Sequence, residues 1–239
     1  MTHTPSRARL GHVAAALAAP LMMTCVLAGP GPAAAAAAAC QNWTGTQPPS
    51  PGTVSNELFG VAVLSACDAW AVGDDLTSNG GRQTLTEHWN GSSWTVLPSP
   101  DPGTVDSVLT GVRAVSATSV WAVGYTGGGA GNQTLILHWD GATWTQVPSP
   151  SPGDISRLYS VRAVSASDAW AVGSFSSGAG DQTLILHWDG TIWTQVPSPS
   201  PGGTGSGNDL FSVAATSHSD AWAVGESFTS SKITTLILH

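Results

Sequence analysis

The chain has 239 residues, of which 41% are hydrophobic and 9% are charged, and its formal net charge is −8. The acidic residues are scattered and basic residues are few, so the composition excludes the basic footprint that nucleic acids and anionic membranes require of a partner. Eleven tryptophans supply much of the apolar surface that a core can bury.

The first 39 residues predict a secretory signal peptide that is cleaved from the product. Arg7 and Arg9 give a basic start, residues 13–28 are mostly apolar, and residues 33–39 offer small-residue cleavage sites. An uncleaved membrane anchor is the alternative, and the short apolar length counts against it. The sequence thus predicts a secreted, extracellular protein that does not insert in a membrane once the leader is removed. The remaining chain carries a formal charge of −10.

The cysteines bear on redox state and anchoring. Cys25 lies in the leader, which leaves Cys40 and Cys67. In an exported protein these two predict one disulfide that ties the N-terminal segment to the first repeat, and two unpaired thiols are the alternative. Lipidation of Cys40, which would anchor the protein at the cell surface, also stays open. Two cysteines without metal-ligand spacing predict no zinc site, and no other metal or cofactor is expected.

Two sequence landmarks recur about every 50 residues, and this period is typical of a repeat array. Leu-x-x-Val-x-x-x-Ser-x-x-x-x-Trp-Ala-Val-Gly occurs four times, with its tryptophans at Trp70, Trp121, Trp170 and Trp222. His-Trp-Asp/Asn-Gly-x-x-Trp-Thr starts at His88, His138 and His187, and its first residue returns as His239. Residues 40–239 therefore form one repeat domain, with repeats at about 53–102, 103–152, 153–202 and 203–239.

Each repeat predicts four short antiparallel strands. In the third copy, Leu184, Leu186 and Trp188 alternate with polar residues, which indicates a half-buried strand. Asp189-Gly190 follows directly and is a strong hairpin signal. Prolines at 197–201 then predict a crossover outside the sheet. The strands expected in this copy are residues 158–164, 169–173, 182–188 and 191–196.

Four-stranded units of this kind bury both faces by stacking around an axis, which predicts an all-β fold, a β-propeller of four-stranded antiparallel blades. Residues 42–47 match the fourth strand of a repeat, whereas the last repeat holds only three. The sequence therefore predicts four blades, with this N-terminal strand closing the last blade. A fragment of a larger propeller is the alternative.

The blade resembles those of secreted bacterial propellers in the kelch-like and BNR/Asp-box group. The resemblance is carried by Ser-x-x-Asp-Ala-Trp-Ala-Val-Gly and His-Trp-Asp-Gly-x-x-Trp-Thr, and it covers residues 42–239. Asp140-Gly141 and Asp189-Gly190 are similar to the Asp-box turn between the third and fourth strands. The resemblance implies a propeller fold and points to exported repeat proteins without an assigned activity.

The repeated polar residues are expected to be structural. The four histidines His88, His138, His187 and His239 lie one in each blade, too far apart to share a metal ion, so each is expected to bond a neighbouring turn or strand. Asp68, Asp168 and Asp220 are expected to satisfy their own turns. The arginine cluster of a sialidase and the cross-linked tyrosine of galactose oxidase find no counterpart. The sequence therefore predicts no enzyme activity.

A binding site is expected in the segments between the second and third strands, since these differ among the repeats while the strands persist. They supply our candidate ligand-binding residues, which are Asp74, Asp75, Tyr125, Asn132, Asp181 and Glu226. We therefore expect a non-catalytic module that binds an extracellular glycan or protein. The alternatives are a structural envelope or matrix repeat without a specific ligand, and a truncated part of a propeller-containing glycosidase or sialidase-like enzyme.

Overall fold

The computed structural model describes residues 47–129, 131–176, 178, 180–201 and 205–239. Within these residues the chain forms fifteen β-strands and no helix. It follows that the described part holds no helix able to cross a bilayer. The all-β class predicted from the sequence is confirmed.

The strands repeat with the period of the sequence, and each repeat forms one blade. Blade 1 holds β1 (Ser55–Ser65), β2 (Asp68–Leu76), β3 (Arg82–Trp89) and β4 (Trp94–Val96). Blade 2 holds β5 (Asp106–Ser116), β6 (Ser119–Gly128), β7 (Gly131–Trp139) and β8 (Trp144–Gln146). Blade 3 holds β9 (Ile155–Ser165), β10 (Asp168–Ser176), β11 (Asp181–Trp188) and β12 (Trp193–Gln195). Blade 4 holds β13 (Gly207–Ser217), β14 (Asp220–Phe228) and β15 (Ile233–Leu238).

Each blade is an antiparallel meander, and the first strands of successive blades pack side by side, β1 on β5, β5 on β9 and β9 on β13. The start of a third strand also meets the start of the next blade's first strand, as in the parallel pairs Arg82–Asp106 and Asn132–Ile155. This is how consecutive propeller blades are arranged. Residues 42–46, the main part of the predicted closing strand, lie outside the described residues, so the closure stays a prediction.

The Trp-Ala-Val-Gly motif owes its glycine to a β-bulge in the neighbouring strand. Tyr159 of β9 is skipped in the pairing with β10, between Leu158–Gly173 and Ser160–Val172. The bulge brings the carbonyl oxygen of Arg157 so close to Gly173 that a Cβ there would overlap it. The same overlap recurs at the equivalent glycine of each blade. Glycine is therefore required by close backbone approach, and the strand continues beyond it.

Tryptophans fill the interfaces between blades. The indole of Trp121 in blade 2 lies 5.1 Å from Trp188 and 5.3 Å from Trp193 of blade 3, centroid to centroid. Trp70 of blade 1 meets two tryptophans of blade 2 at the same distances. Trp144 and Trp193 are buried in these interfaces, so they offer no stacking surface to a ligand.

The proline-rich crossovers are fastened to the third strands by one threonine per blade. The Thr183 hydroxyl lies 2.7 Å from the Ser198 hydroxyl and donates to the Pro199 carbonyl at 3.0 Å. Thr84 and Thr134 make the matching bonds in blades 1 and 2. Because proline offers no N–H, side-chain hydroxyls supply the bonds that hold this segment outside the sheet, as its sequence predicts.

The turn between the third and fourth strands is longer than the two-residue hairpin that Asp-Gly suggests. In blade 3 it spans residues 189–192, and the Asp189 carboxylate accepts N–H bonds from Thr191 at 2.8 Å and Ile192 at 2.9 Å. Gly190 adopts a φ of +96°, which glycine tolerates best. These backbone donors hold the pKa of Asp189 below its ordinary value.

Candidate binding site

The candidate residues lie at one end of the blades, but on strands and not on loops as predicted. The actual connections between second and third strands in blades 1, 3 and 4 are residues 77–81, 177–180 and 229–232. Asp74, Asp75, Tyr125 and Glu226 belong to second strands, and Asn132 and Asp181 to third strands. The reason is the bulge described above: we placed the strand end at the motif glycine, which instead lies within the strand.

The first half of the candidate site is an ion pair in blade 1. The Arg82 guanidinium donates to the Asp74 carboxylate at 2.6 Å and lies 3.7 Å from the carboxylate of Glu57. Asp74 is fully buried, and this burial raises its pKa even though Arg82 opposes the shift. The Arg82 backbone N–H also donates to Asp106 of blade 2 at 3.2 Å. The pair is thus held between two blades.

The second half joins blades 2 and 3. The Arg157 guanidinium lies over the Tyr125 ring, 4.9 Å from its centroid, which is a cation–π contact. With the Asn132 amide oriented so that its oxygen faces Arg157, this oxygen accepts two N–H bonds from the guanidinium at 2.8 and 3.0 Å. Burial raises the pKa of Tyr125, which also lies within the electrostatic range of Asp74 and Arg82. The two halves therefore form one group, which we call the two-arginine cluster: Asp74, Arg82, Tyr125, Asn132 and Arg157.

The structure brings three of the six predicted residues together in this cluster, Asp74, Tyr125 and Asn132. Asp75 is buried on the other side of β2, where burial and the nearby carboxylate of Asp101 raise its pKa. Asp181 contacts blade 4 through its carbonyl, which accepts from the Asn208 side chain at 3.0 Å. Among the described residues no side-chain contact links Asp181 or Glu226 to the cluster.

Sequence reasoning missed the two arginines that organise the cluster. Arg157 lies in a first strand, which we treated as scaffold, and its repeat equivalents are Glu57, Val108 and Asp209. That variation was a usable signal, because the positions of Leu158, Val161 and Ser165 in the same strand hold identical residues in every copy. Among the described residues Arg157 forms no ion pair with a carboxylate.

The repeated histidines are structural, as the sequence predicts. The His187 imidazole lies 2.9 Å from the Asp168 carboxylate and its ring packs 4.2 Å from that of Trp170. His88 and His239 pair with Asp68 and Asp220 in the same way, and His138 pairs with Ser119. The aspartates thus bond an imidazole, where we had expected them to bond only their own turns.

No set of three or more histidine, cysteine or acidic side chains suited to a metal ion occurs among the residues that the structure describes. Cys67 lies in a disulfide bond. Its predicted partner, Cys40, lies outside the described residues, so this pairing stays a prediction.

No protein-family model matches the chain, and no curated protein matches its sequence. Among solved structures, it is similar to "YCF48 bound to D1 peptide", with 14% identity, a TM-score of 0.43, and coverage of 77% of this chain and 53% of that one. It is also similar to a thermostable family-43 glycoside hydrolase, with 10% identity, a TM-score of 0.45, and coverage of 73% and 68%. The chain thus spans about half the length of the first structure. The blade arrangement follows from this chain's own strand pairing, and neither likeness transfers an activity or a partner to it.

Proposed function

We propose that the protein is an exported, non-catalytic binding module that recognises a glycan or protein ligand at the cell exterior through the two-arginine cluster. The observation that supports this most directly is the Arg157 guanidinium. It is half-buried, held in place by Asn132 and Tyr125, and has no acidic partner among the described residues. A preorganised guanidinium beside an aromatic ring suits a carboxylate, whether on an acidic sugar or on a peptide.

The proposal that the protein is not a catalyst is supported by the contacts of the repeated histidines, which are all used within the blades. The four repeated imidazoles pack against tryptophans and bond a side chain of their own blade. Export is supported by the basic start, apolar stretch and small-residue exit of residues 1–39.

The experiment measures binding of the purified protein to an array of neutral and uronic-acid glycans and to a library of acidic peptides. Bound ligands are then tested against Arg157→Ala and, as the control, Lys232→Ala, which removes an exposed cation outside the cluster. We expect Arg157→Ala to weaken binding by about tenfold or more, because charged hydrogen bonds contribute roughly 1.5–3 kcal/mol. Lys232→Ala should bind as the wild type does. Equal loss in both variants, or none in either, contradicts the proposal.

A further inference from the structure

The interfaces between neighbouring blades show which surface of one blade packs on which surface of the next. We call the face that packs on the next blade in the chain the forward face, and the opposite one the rear face. At the interface between blades 1 and 2, Trp70 and Val72 of the forward face are buried against Leu109, Ala114 and other residues of the rear face. The interface between blades 2 and 3 repeats the arrangement with Trp121 and Leu158. A forward face and a rear face are therefore complementary apolar surfaces.

The forward face of blade 4 is exposed to solvent. Trp222 is 50% exposed, whereas its equivalents Trp70 and Trp121 are each 1% exposed. Val224 is 43% exposed and Ile237 is 62% exposed, while the corresponding Val123 and Ile136 are fully buried. The same apolar residues that form the core elsewhere thus face solvent at this end of the array.

Blade 1 leaves part of its rear face bare as well. Leu58, Val61 and Val63 of β1 are 42%, 68% and 65% exposed. In blade 3 the corresponding Leu158, Val161 and Ala163 are at most 7% exposed, because they pack against blade 2. One molecule therefore exposes two apolar surfaces of opposite kind, and within the described chain neither covers the other.

A cavity of about 310 Å³ lies beside the bare forward face, between Trp170, Val196, Trp222 and Leu238. Trp170 is only half-buried, whereas Trp70 and Trp121 each pack against two tryptophans of the next blade. One of those two comes from the fourth strand, which blade 4 lacks among the described residues. Asn42-Trp43-Thr44 matches that strand in sequence, and Trp43 is the one tryptophan of the chain outside the described residues.

We propose that a second copy of this chain occupies these surfaces, head to tail. The rear face of blade 1 of one copy packs on the forward face of blade 4 of its partner. Two such contacts, related by a twofold axis, join the four described blades of each copy into one closed ring of eight, a size that propellers adopt. The second copy is the occupant because it presents the rear face that the forward faces of blades 1 and 2 are seen to accept.

Glu87 lies on the rear face of blade 1. It stands where blades 2 and 3 have Leu137 and Leu186, residues that pack in the same clusters as Trp70 and Trp121. Leucine at this position therefore belongs to the rear face in blades 2 and 3, and Glu87 replaces it on the rear face of blade 1.

The experiment measures the mass of the purified protein in solution by sedimentation velocity at micromolar concentration. We expect twice the mass of a single chain. A monomer at all concentrations overturns the proposal, whether its ring is open or closed within the chain, and open polymers longer than two copies overturn it as well.

Two face variants identify the surfaces. Trp222→Glu and Val61→Glu each place a charge on one exposed face, so neither should unfold the blades. Each should weaken self-association at least about a hundredfold, because an unpaired charge is costly to bury in an apolar contact. Ile192→Glu, which alters an exposed residue of the β11–β12 turn, is the control and should still pair.

Mixing the two face variants separates head-to-tail pairing from pairing of like faces. The Val61→Glu copy keeps its forward face and the Trp222→Glu copy keeps its rear face, so the mixture should regain heterodimers through one intact junction. Pairing of like faces would instead leave one of the two variants dimeric on its own. That result, or a mixture that stays monomeric, overturns the proposal.

Discussion

Replacing Glu87 by leucine should stabilise the fold, and the gain should depend on pH. Glu87 is fully buried in β3, and both oxygens of its carboxylate have no hydrogen-bond partner. The two equivalent positions in blades 2 and 3 hold Leu137 and Leu186, which are also fully buried. Leucine is therefore a side chain that this position in the blade accommodates.

The magnitude follows from the pKa of Glu87, which burial raises from 4.5 to about 6. Each pKa unit corresponds to about 1.36 kcal/mol, so the charged carboxylate lowers the free energy of unfolding by about 2 kcal/mol near neutral pH. The penalty builds as the pH rises through about 4.5, where the unfolded carboxyl ionises. It is complete above about 6, where the folded one ionises too. At pH 4 both states are protonated and the penalty has almost disappeared.

The assay is urea unfolding of the wild type and Glu87→Leu at pH 7.5 and pH 4. The stability advantage of the variant should shrink by about 2 kcal/mol between the two pH values. Comparing the variant with the wild type at each pH cancels the other titrating groups. Glu226→Gln, a half-buried glutamate in blade 4, is the control and should change stability by less than about 0.5 kcal/mol at either pH. A pH-independent advantage for the leucine variant would refute the reasoning.

Three further substitutions test the blade architecture by thermal or urea unfolding. Trp121→Ala should cost about 3–5 kcal/mol, whereas Trp222→Ala, at the equivalent exposed position, should cost less than about 1 kcal/mol under monomeric conditions; equal costs would contradict the interface assignment. Thr183→Val should lower the free energy of unfolding by about 1–3 kcal/mol, because the Pro199 carbonyl and the Ser198 hydroxyl lose their partner. Gly173→Ala should be strongly destabilising, by roughly 2 kcal/mol or more, since its Cβ overlaps a carbonyl oxygen; an unchanged midpoint would exclude the bulge as the reason for glycine.

Much of the fold could be predicted from the sequence, because the repeats show which positions hold the same residue in every copy. Four copies of one pattern place Trp70, Trp121 and Trp170 at the same point of each blade, so periodicity alone separates core from surface. Strand ends were less accurate. A glycine after Trp-Ala-Val reads as a strand end, and only the three-dimensional bulge shows that the chain passes a neighbouring carbonyl there.

Only part of the candidate site could be predicted from the sequence, because the rest depends on contacts between blades. Differences among the repeats did locate Asp74, Tyr125 and Asn132, but no spacing in the sequence shows that Arg82 and Arg157 reach them across blade boundaries. Contacts between blades depend on the rotation from one sheet to the next, which a repeat pattern does not encode.

Residues that differ from their equivalents in the other repeats are the best candidates for a functional role in this chain. A residue present in every copy has the same partner in every copy, as Thr84, Thr134 and Thr183 do with their crossovers, so its conservation within the chain is explained by folding. Glu87 and Arg157 instead occupy positions where the other copies carry unlike residues. Neither finds an opposite charge among the described residues, so folding alone does not account for them. Glu87 lies on the rear face of blade 1, the surface proposed to meet a partner copy, and Arg157 lies in the two-arginine cluster, the site proposed to bind a ligand.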